Sequence, residues 1–331
     1  MVSGPQLERS RLHCRFDKSN ADMFFSLVDY RNNYFTSNHP EKVVEFYNGF
    51  ESRDQLIQWM RDRPKGTHTI YEVEGDNDII VVIPTADYDS KYAKECRDDI
   101  FKGLHIIFVE SGRDNFYVNL AYNLNAGIAK ALDYNPKWII YSNDDVFKID
   151  SIQVLVNELN KLDGEKYHSV FLKSDIYHST PARISVSRFL RKLIFLFASK
   201  RSYRRQRLNL EKKFWIRFFP NTILDIYGKY FFKGKGMKYI NIGDFFILSG
   251  SLVRSFSSNL FDETFVNGCE DHDLSIRIQS SGSRHTFISY RIGSLIGRTL
   301  GQSESRSIRD IANLAYFNEK LRSGKIGEEF S

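Results

Sequence analysis

Hydrophobic residues along this chain gather into three continuous runs separated by stretches with helical spacing. Ile79-Ile80-Val81-Val82-Ile83, His105-Ile106-Ile107-Phe108-Val109 and Trp138-Ile139-Ile140-Tyr141 are apolar at successive positions. Strands look like this when helices cover both faces of a parallel sheet. Between the runs, Lys91 to Lys102 and Asn119 to Leu132 read as helices, the second with Leu120, Leu124, Ile128 and Leu132 on one stripe. A third helix begins at Asp150-Ser151 and carries Ile152, Leu155, Val156 and Leu159. The alternation predicts an α/β fold with a mostly parallel, doubly wound sheet. Upstream, Pro40-Glu41 opens a helix through Val43, Val44 and Phe46. Ser52 caps a second through Leu56, Ile57 and Trp59, and Arg63-Pro64-Lys65-Gly66 breaks the pattern.

Composition narrows the class. The 331 residues are 42% hydrophobic and include 27 Phe and 18 Tyr, ample core material that excludes a disordered or low-complexity chain. The three cysteines, Cys14, Cys96 and Cys269, are too few and too scattered for a disulfide framework or a paired-cysteine zinc site, which points to a reducing compartment. The apolar run Leu193 to Ala198 is six residues long, far short of the roughly 20 that span a bilayer. Met1-Val2-Ser3-Gly4-Pro5 lacks the apolar centre of a signal peptide. The expectation is a soluble, cytoplasmic protein.

Charge is unevenly spread. The net value is +6, yet Arg183 to Lys238 holds 16 Lys and Arg against Glu211 and Asp225, a balance of +14 that leaves the remainder at −8. Twelve aromatics share this block. Arg188 to Phe197, followed by Lys200-Arg201, reads as a basic amphipathic segment. Three readings stay open: an insertion that packs its rings and solvates its charges, a surface lying on the inner face of an anionic membrane, and a single-stranded nucleic-acid surface, the least favoured.

Ligands of such sheets bind beyond the carboxyl ends of the strands. Those ends read Thr85-Ala86-Asp87, Glu110-Ser111-Gly112 and Ser142-Asn143-Asp144-Asp145. All carry acids, and the first lacks the glycines of a dinucleotide-binding turn. A phosphate ligand facing acids needs a divalent cation between them, and Mg²⁺ or Mn²⁺ suits carboxylate oxygens. Asn143-Asp144-Asp145 therefore reads either as a metal site bridging a nucleotide diphosphate or as an Asp-rich helix cap. A second acidic segment follows Phe261-Asp262-Glu263-Thr264-Phe265. Glu270, Asp271 and Asp273 crowd the start of one helix, more than capping requires. Their repulsion calls for a cation or substrate hydroxyls, and one of them could serve as a general base. His272, beside three acids, reads as a charged surface histidine or a rival base.

In this order and spacing the motifs resemble family 2 glycosyltransferases, which have the GT-A fold, over residues 78–150 and 243–303. Val82-Ile83-Pro84-Thr85 looks like the family's opening strand, and Asn123 with Gly127 loosely matches its Asn-x-Gly helix. Asn143-x-Asp145 looks like its metal motif, and Phe261-Asp262-Glu263 with Glu270-Asp271-x-Asp273-Leu274 like its acceptor segment. The resemblance implies inverting, metal-dependent transfer from a nucleotide-diphosphate sugar to a hydroxyl of a glycan or lipid-linked acceptor. It implies Asp271 as base with Glu270 beside it, and Asp273 and His272 at the acceptor. Asp145 and Asp144 would hold Mn²⁺ or Mg²⁺; Thr85, Asp87, Glu110, Asn143 and Asp144 would contact the donor. Three departures stand out. Ala86 replaces an aromatic that Tyr88 could supply. Asn143 replaces the first acid of the metal motif. Arg298, in Gly297-Arg298-Thr299, stands where many members have a histidine ligand and could pair with the diphosphate instead.

The resulting layout is a mostly helical addition at 1–76, a donor half at 77–182, the basic insertion at 183–238, an acceptor half at 239–303 and a helical tail at 304–331. Two other functions compete. A nucleotidyltransferase of sugar phosphates would want a Gly-rich, basic loop after the first strand. A non-catalytic α/β module binding membrane or nucleic acid would have no need of Asp145 or Asp271.

Overall fold

The three apolar runs form adjacent strands of one seven-stranded sheet in the computed structural model of the protein. It describes residues 34–114, 119–173, 179–181, 201–216, 239–241, 245–256, 259–295 and 304–323. The sheet is built from β1 (His68–Val73), β2 (Asp76–Thr85), β3 (Leu104–Ser111), β4 (Trp138–Ser142), β6 (Ser169–Leu172), β9 (Phe245–Ser249) and β10 (His285–Ile288), in the order β1-β3-β2-β4-β9-β6-β10. Two small ladders flank it. One pairs β5 (Val146–Lys148) with β11 (Ile292–Ser294), the other β7 (Ser179–Pro181) with β8 (Tyr239–Asn241).

The sheet is mixed. β3, β2 and β4 run parallel, as do β6 and β10, but β9 runs against both β4 and β6, and β1 runs against β3. Five of the seven strands thus share a direction, so the sheet is mostly parallel as expected, with β9 inside it and β1 at its edge running the other way. A run such as Phe245-Phe246-Ile247-Leu248 is buried on both faces whichever way it points, so its apolar character carries no direction. β1 lies within the 1–76 stretch read as a mostly helical addition, and it is the edge strand of the central sheet.

Alternate residues of each strand enter opposite layers. Ile80, Val82, Ile107 and Val109 pack against α4 (Leu120–Leu132) and α8 (Glu270–Ser280) through Leu124, Ile128, Leu274 and Ile278. Gly127 makes the close approach of α4 feasible, since a Cβ there would stand 2.5 Å from Val82 Cγ1 and 2.7 Å from Val109 Cγ2. On the other face, Ile79, Val81, Ile83, Ile106 and Phe108 meet α3 (Lys91–Glu95), the π turn Cys96–Ile100 that continues it, and α5 (Ile152–Asn160).

A third core lies beside this sandwich. α1 (Pro40–Asn48), α2 (Arg53–Asp62), α6 (Arg201–Lys213) and α9 (Glu304–Ser323) bury Phe46, Trp59, Phe214, Ile311 and Phe317 together with Phe265 and Ile276 of the second acidic segment. Ser52 caps α2 by accepting the Gln55 N–H at 3.2 Å, as its position before an apolar stripe predicts. Within the expected basic insertion, α6 is an integral part of this core. α7 (Gly250–Ser255) follows β9 at the amino end of the parallel strands, where Gly250 donates to Lys137 O at 2.9 Å. Among the described residues no helix is long and apolar enough to cross a membrane.

Candidate active site

From β2 the chain passes to β3 on one side, then returns through α4 to β4 on the other side of β2. The reversal opens a crevice beyond the carboxyl ends of β2 and β4, where ligands of α/β sheets bind. Thr85 ends β2 and is buried, and its hydroxyl donates to Asp144 Oδ2 at 2.7 Å, closing the reversal point. Asn143 Oδ1 accepts from the Tyr141 hydroxyl at 2.5 Å. Burial raises the pKa of Asp144, and the adjacent Asp145 charge raises it further. Asp145 is itself buried, and its carbonyl accepts the Leu295 N–H at 2.9 Å.

Of the other expected donor contacts, Asp87 stands on the loop after β2 and Glu110 near the end of β3. Asp87 is exposed and accepts the Asp89 N–H at 2.9 Å. Glu110 Oε2 accepts the Tyr88 N–H at 2.7 Å. The half-buried Tyr88 ring stacks on Tyr71 at 4.2 Å, with the Arg97 guanidinium 4.5 Å from its centroid.

The second acidic segment reaches the same edge of the sheet. β10 points in the direction of β2 and β4, and four residues, 281–284, join α8 to it. The last turn of α8 therefore lies at the amino end of the strands and Glu270 at the carboxyl end. α8 also lies against β8, which three residues separate from Phe245, the partner of Ser142. The loop before α8 is fixed by side chains from distant elements. Asn125 of α4 donates to Phe261 O at 2.8 Å and accepts the Phe261 N–H at 2.9 Å. The Arg63 guanidinium donates to the carbonyls of Glu263, Thr264 and Phe265 at 2.6–2.9 Å.

The acids at the start of α8 have distinct surroundings. Asp273 is 0% exposed, with Arg277 Nε at 2.9 Å and Lys320 Nζ at 2.7 Å. It sits in an internal ion network rather than facing solvent. Lys320 also binds Asp262 at 2.8 Å. Burial opposes the Asp262 charge, yet Lys320 and the Thr264 and Tyr316 hydrogen bonds hold its pKa at about 2. Glu270 is 6% exposed, and its Oε2 has no hydrogen-bond partner. Burial and then the Asp271 charge push it up to about 7. Asp271 Oδ1 accepts from the His272 backbone N–H and meets its ring Nδ1, both at 2.8 Å. Burial opposes a charged His272, but Asp271 more than offsets this, and its pKa is raised. Behind them, burial lifts Asp310 of α9 to about 6 against the pull of Arg207, Arg306 and Arg309.

The repulsion among the acids is thus relieved largely from within, by Arg277, Lys320 and His272. Lys320 and Asp310 escape sequence reasoning because their partners lie tens of positions away, and the apolar periodicity of α9 signals only that one face is buried. Among the described residues no group of three or more His, Cys, Asp and Glu side chains is arranged to hold a metal ion. Arg298 lies outside the described residues, as does most of the 183–238 block. No protein-family model and no curated protein matches the chain.

Proposed function

We propose that the protein is a GT-A-type glycosyltransferase that moves a sugar from a nucleotide-diphosphate donor to a hydroxyl of a glycan or lipid-linked acceptor. One observation carries the reading: two acidic segments, far apart in sequence, converge on the carboxyl edge of the sheet beside the β2/β4 reversal. A purely structural role accounts for Asp262 and Asp273, which have internal cations. It does not account for the buried Glu270 oxygen or for Asp144 and Asp145 crowded at a strand end.

Asp144 and Asp145 suit Mn²⁺ or Mg²⁺. They offer hard oxygen donors, their mutual repulsion falls when a cation joins them, and such ions are commonly held by one or two carboxylates plus substrate phosphates. When bound, the ion neutralises charge developing on the leaving diphosphate. In the transfer, the acceptor oxygen bonds to the anomeric carbon as the bond from that carbon to the diphosphate breaks. The hydroxyl proton passes to Asp271, whose Oδ1 is oriented by His272. Burial and the Asp271 charge push the Glu270 pKa up to about 7, so near neutrality Glu270 is partly protonated and repels the Asp271 carboxylate less than a full charge would.

The test is a panel of nucleotide-diphosphate sugars read by thermal stabilisation with and without Mn²⁺, followed by transfer assays. At least one donor should raise the melting temperature in a metal-dependent way. Asp271→Asn should retain that shift while losing about 10²–10⁴ in transfer rate. Failure of every donor overturns the reading; loss of donor binding in Asp271→Asn removes Asp271 as the base.

A further inference from the structure

We infer that the exposed end of α6 docks on an anionic lipid bilayer, with Trp215 as the inserted side chain. The inference is independent of the transfer chemistry. α6 has two faces. Leu210, Glu211 and Phe214 are buried against the helical core, with Tyr203 and Arg207 half-buried beside them, while Arg205, Asn209 and Lys212 are exposed on the opposite side. The helix stops in a double hydrogen-bonded turn. Trp215 N–H donates to Lys212 O at 3.1 Å and Ile216 N–H to Glu211 O at 2.8 Å, which turns Ile216 back onto the core. This geometry places one residue in the left-handed region, where glycine is the usual occupant.

Here that residue is Trp215, at φ 59°. A bulky aromatic is a true outlier in this conformation, and packing does not explain it, because Trp215 is 72% exposed. The fold alone would favour glycine. An outlier of this kind points to function. Indole rings concentrate at the headgroup level of membranes, and exposed basic residues nearby supply attraction to anionic lipid. Trp215 has both: Arg205, Lys212 and Arg322 are exposed, and Arg322 donates to Trp215 O at 2.8 Å. In the sequence it lies within the block holding 16 Lys and Arg against two acids. A nucleic-acid platform instead presents successive rings along a groove, whereas among the described residues Trp215 is the one exposed ring at this helix end.

The other two tryptophans, Trp59 and Trp138, are 9% and 0% exposed, so the emission red edge reports Trp215. The full chain should co-sediment with vesicles containing one-third phosphatidylglycerol in phosphatidylcholine, with a blue shift in emission, and not with phosphatidylcholine alone. Trp215→Gly should bind about tenfold more weakly or worse, yet melt at a higher temperature because the left-handed residue is relieved. Lys212→Glu should weaken binding while leaving the melting temperature where it is. The inference is overturned if the full chain ignores anionic vesicles, if Trp215→Gly binds them as well as the parent, or if a single-stranded oligonucleotide shifts the emission and displaces the vesicles.

Discussion

Replacing Lys320 by Met leaves the buried Asp273 and the half-buried Asp262 without the cation they share. Its Nζ stands 2.8 Å from Asp262 and 2.7 Å from Asp273. After the change Asp273 keeps Arg277 at 2.9 Å, and Asp262 keeps the Tyr316 hydroxyl at 2.8 Å and the Thr264 amide at 2.9 Å. The depression of Asp262 from 3.8 to about 2 corresponds to ~2 kcal/mol at neutral pH. Adding the strain on Asp273, the loss expected on removing one partner of a buried ion network is about 3–5 kcal/mol. That is a large share of the roughly 5–15 kcal/mol typical of a whole domain.

The pH dependence supplies a second check on Lys320→Met. The folded-state pKa of Asp262 is depressed, so its contribution is complete above pH of about 4 and is lost as pH falls toward about 2. Urea unfolding should therefore give the full deficit at about pH 7 and a smaller one at about pH 3. Asp262→Asn in the same chain should recover part of it, making the double variant less damaged than the sum of the singles. A variant within about 1 kcal/mol of the parent at neutral pH, or a deficit unchanged by acid, refutes the reasoning.

Two other changes probe the frame around the site. Gly127→Ala forces a methyl against Val82 and Val109 at 2.5 and 2.7 Å and should cost about 1–3 kcal/mol in urea unfolding; a neutral outcome would mean that α4 lifts from the sheet freely. Glu270, Asp310 and His272 all have raised folded-state pKa values. Each therefore favours folding below its unfolded value and loses that contribution as pH rises through its folded one. The melting temperature should fall between about pH 4 and pH 7, and Asp310→Asn should flatten the slope below about pH 6; a rise over that interval contradicts the assignment.

Particular elements show where sequence reading succeeds. β2, β3 and β4 are legible because unbroken β-branched runs demand cover on both faces. α2 is legible because Ser52 precedes an apolar stripe. β1 is not: His-Thr-Ile-Tyr-Glu-Val is a partly exposed edge strand with a weak pattern, and the Pro-Gly break before it suggests only a loop. The acids of α8 stand out as a cluster, but not their division of labour. Asp273 and Asp271 differ by two positions, and a helix turns two positions through roughly 200°, so one faces α9 and its lysine while the other is left beside His272. Charge partners separated by dozens of residues leave no local trace.

The antiparallel edge strand has a practical consequence for dividing this protein. The sequence suggests cutting near residue 76, yet β1 covers most of the outer margin of β3, from Ser111 opposite His68 to Ile106 opposite Val73. A fragment begun at Asn77 would expose a row of unsatisfied amides and carbonyls on an apolar ribbon, an invitation to self-association. Any useful truncation must start upstream of His68.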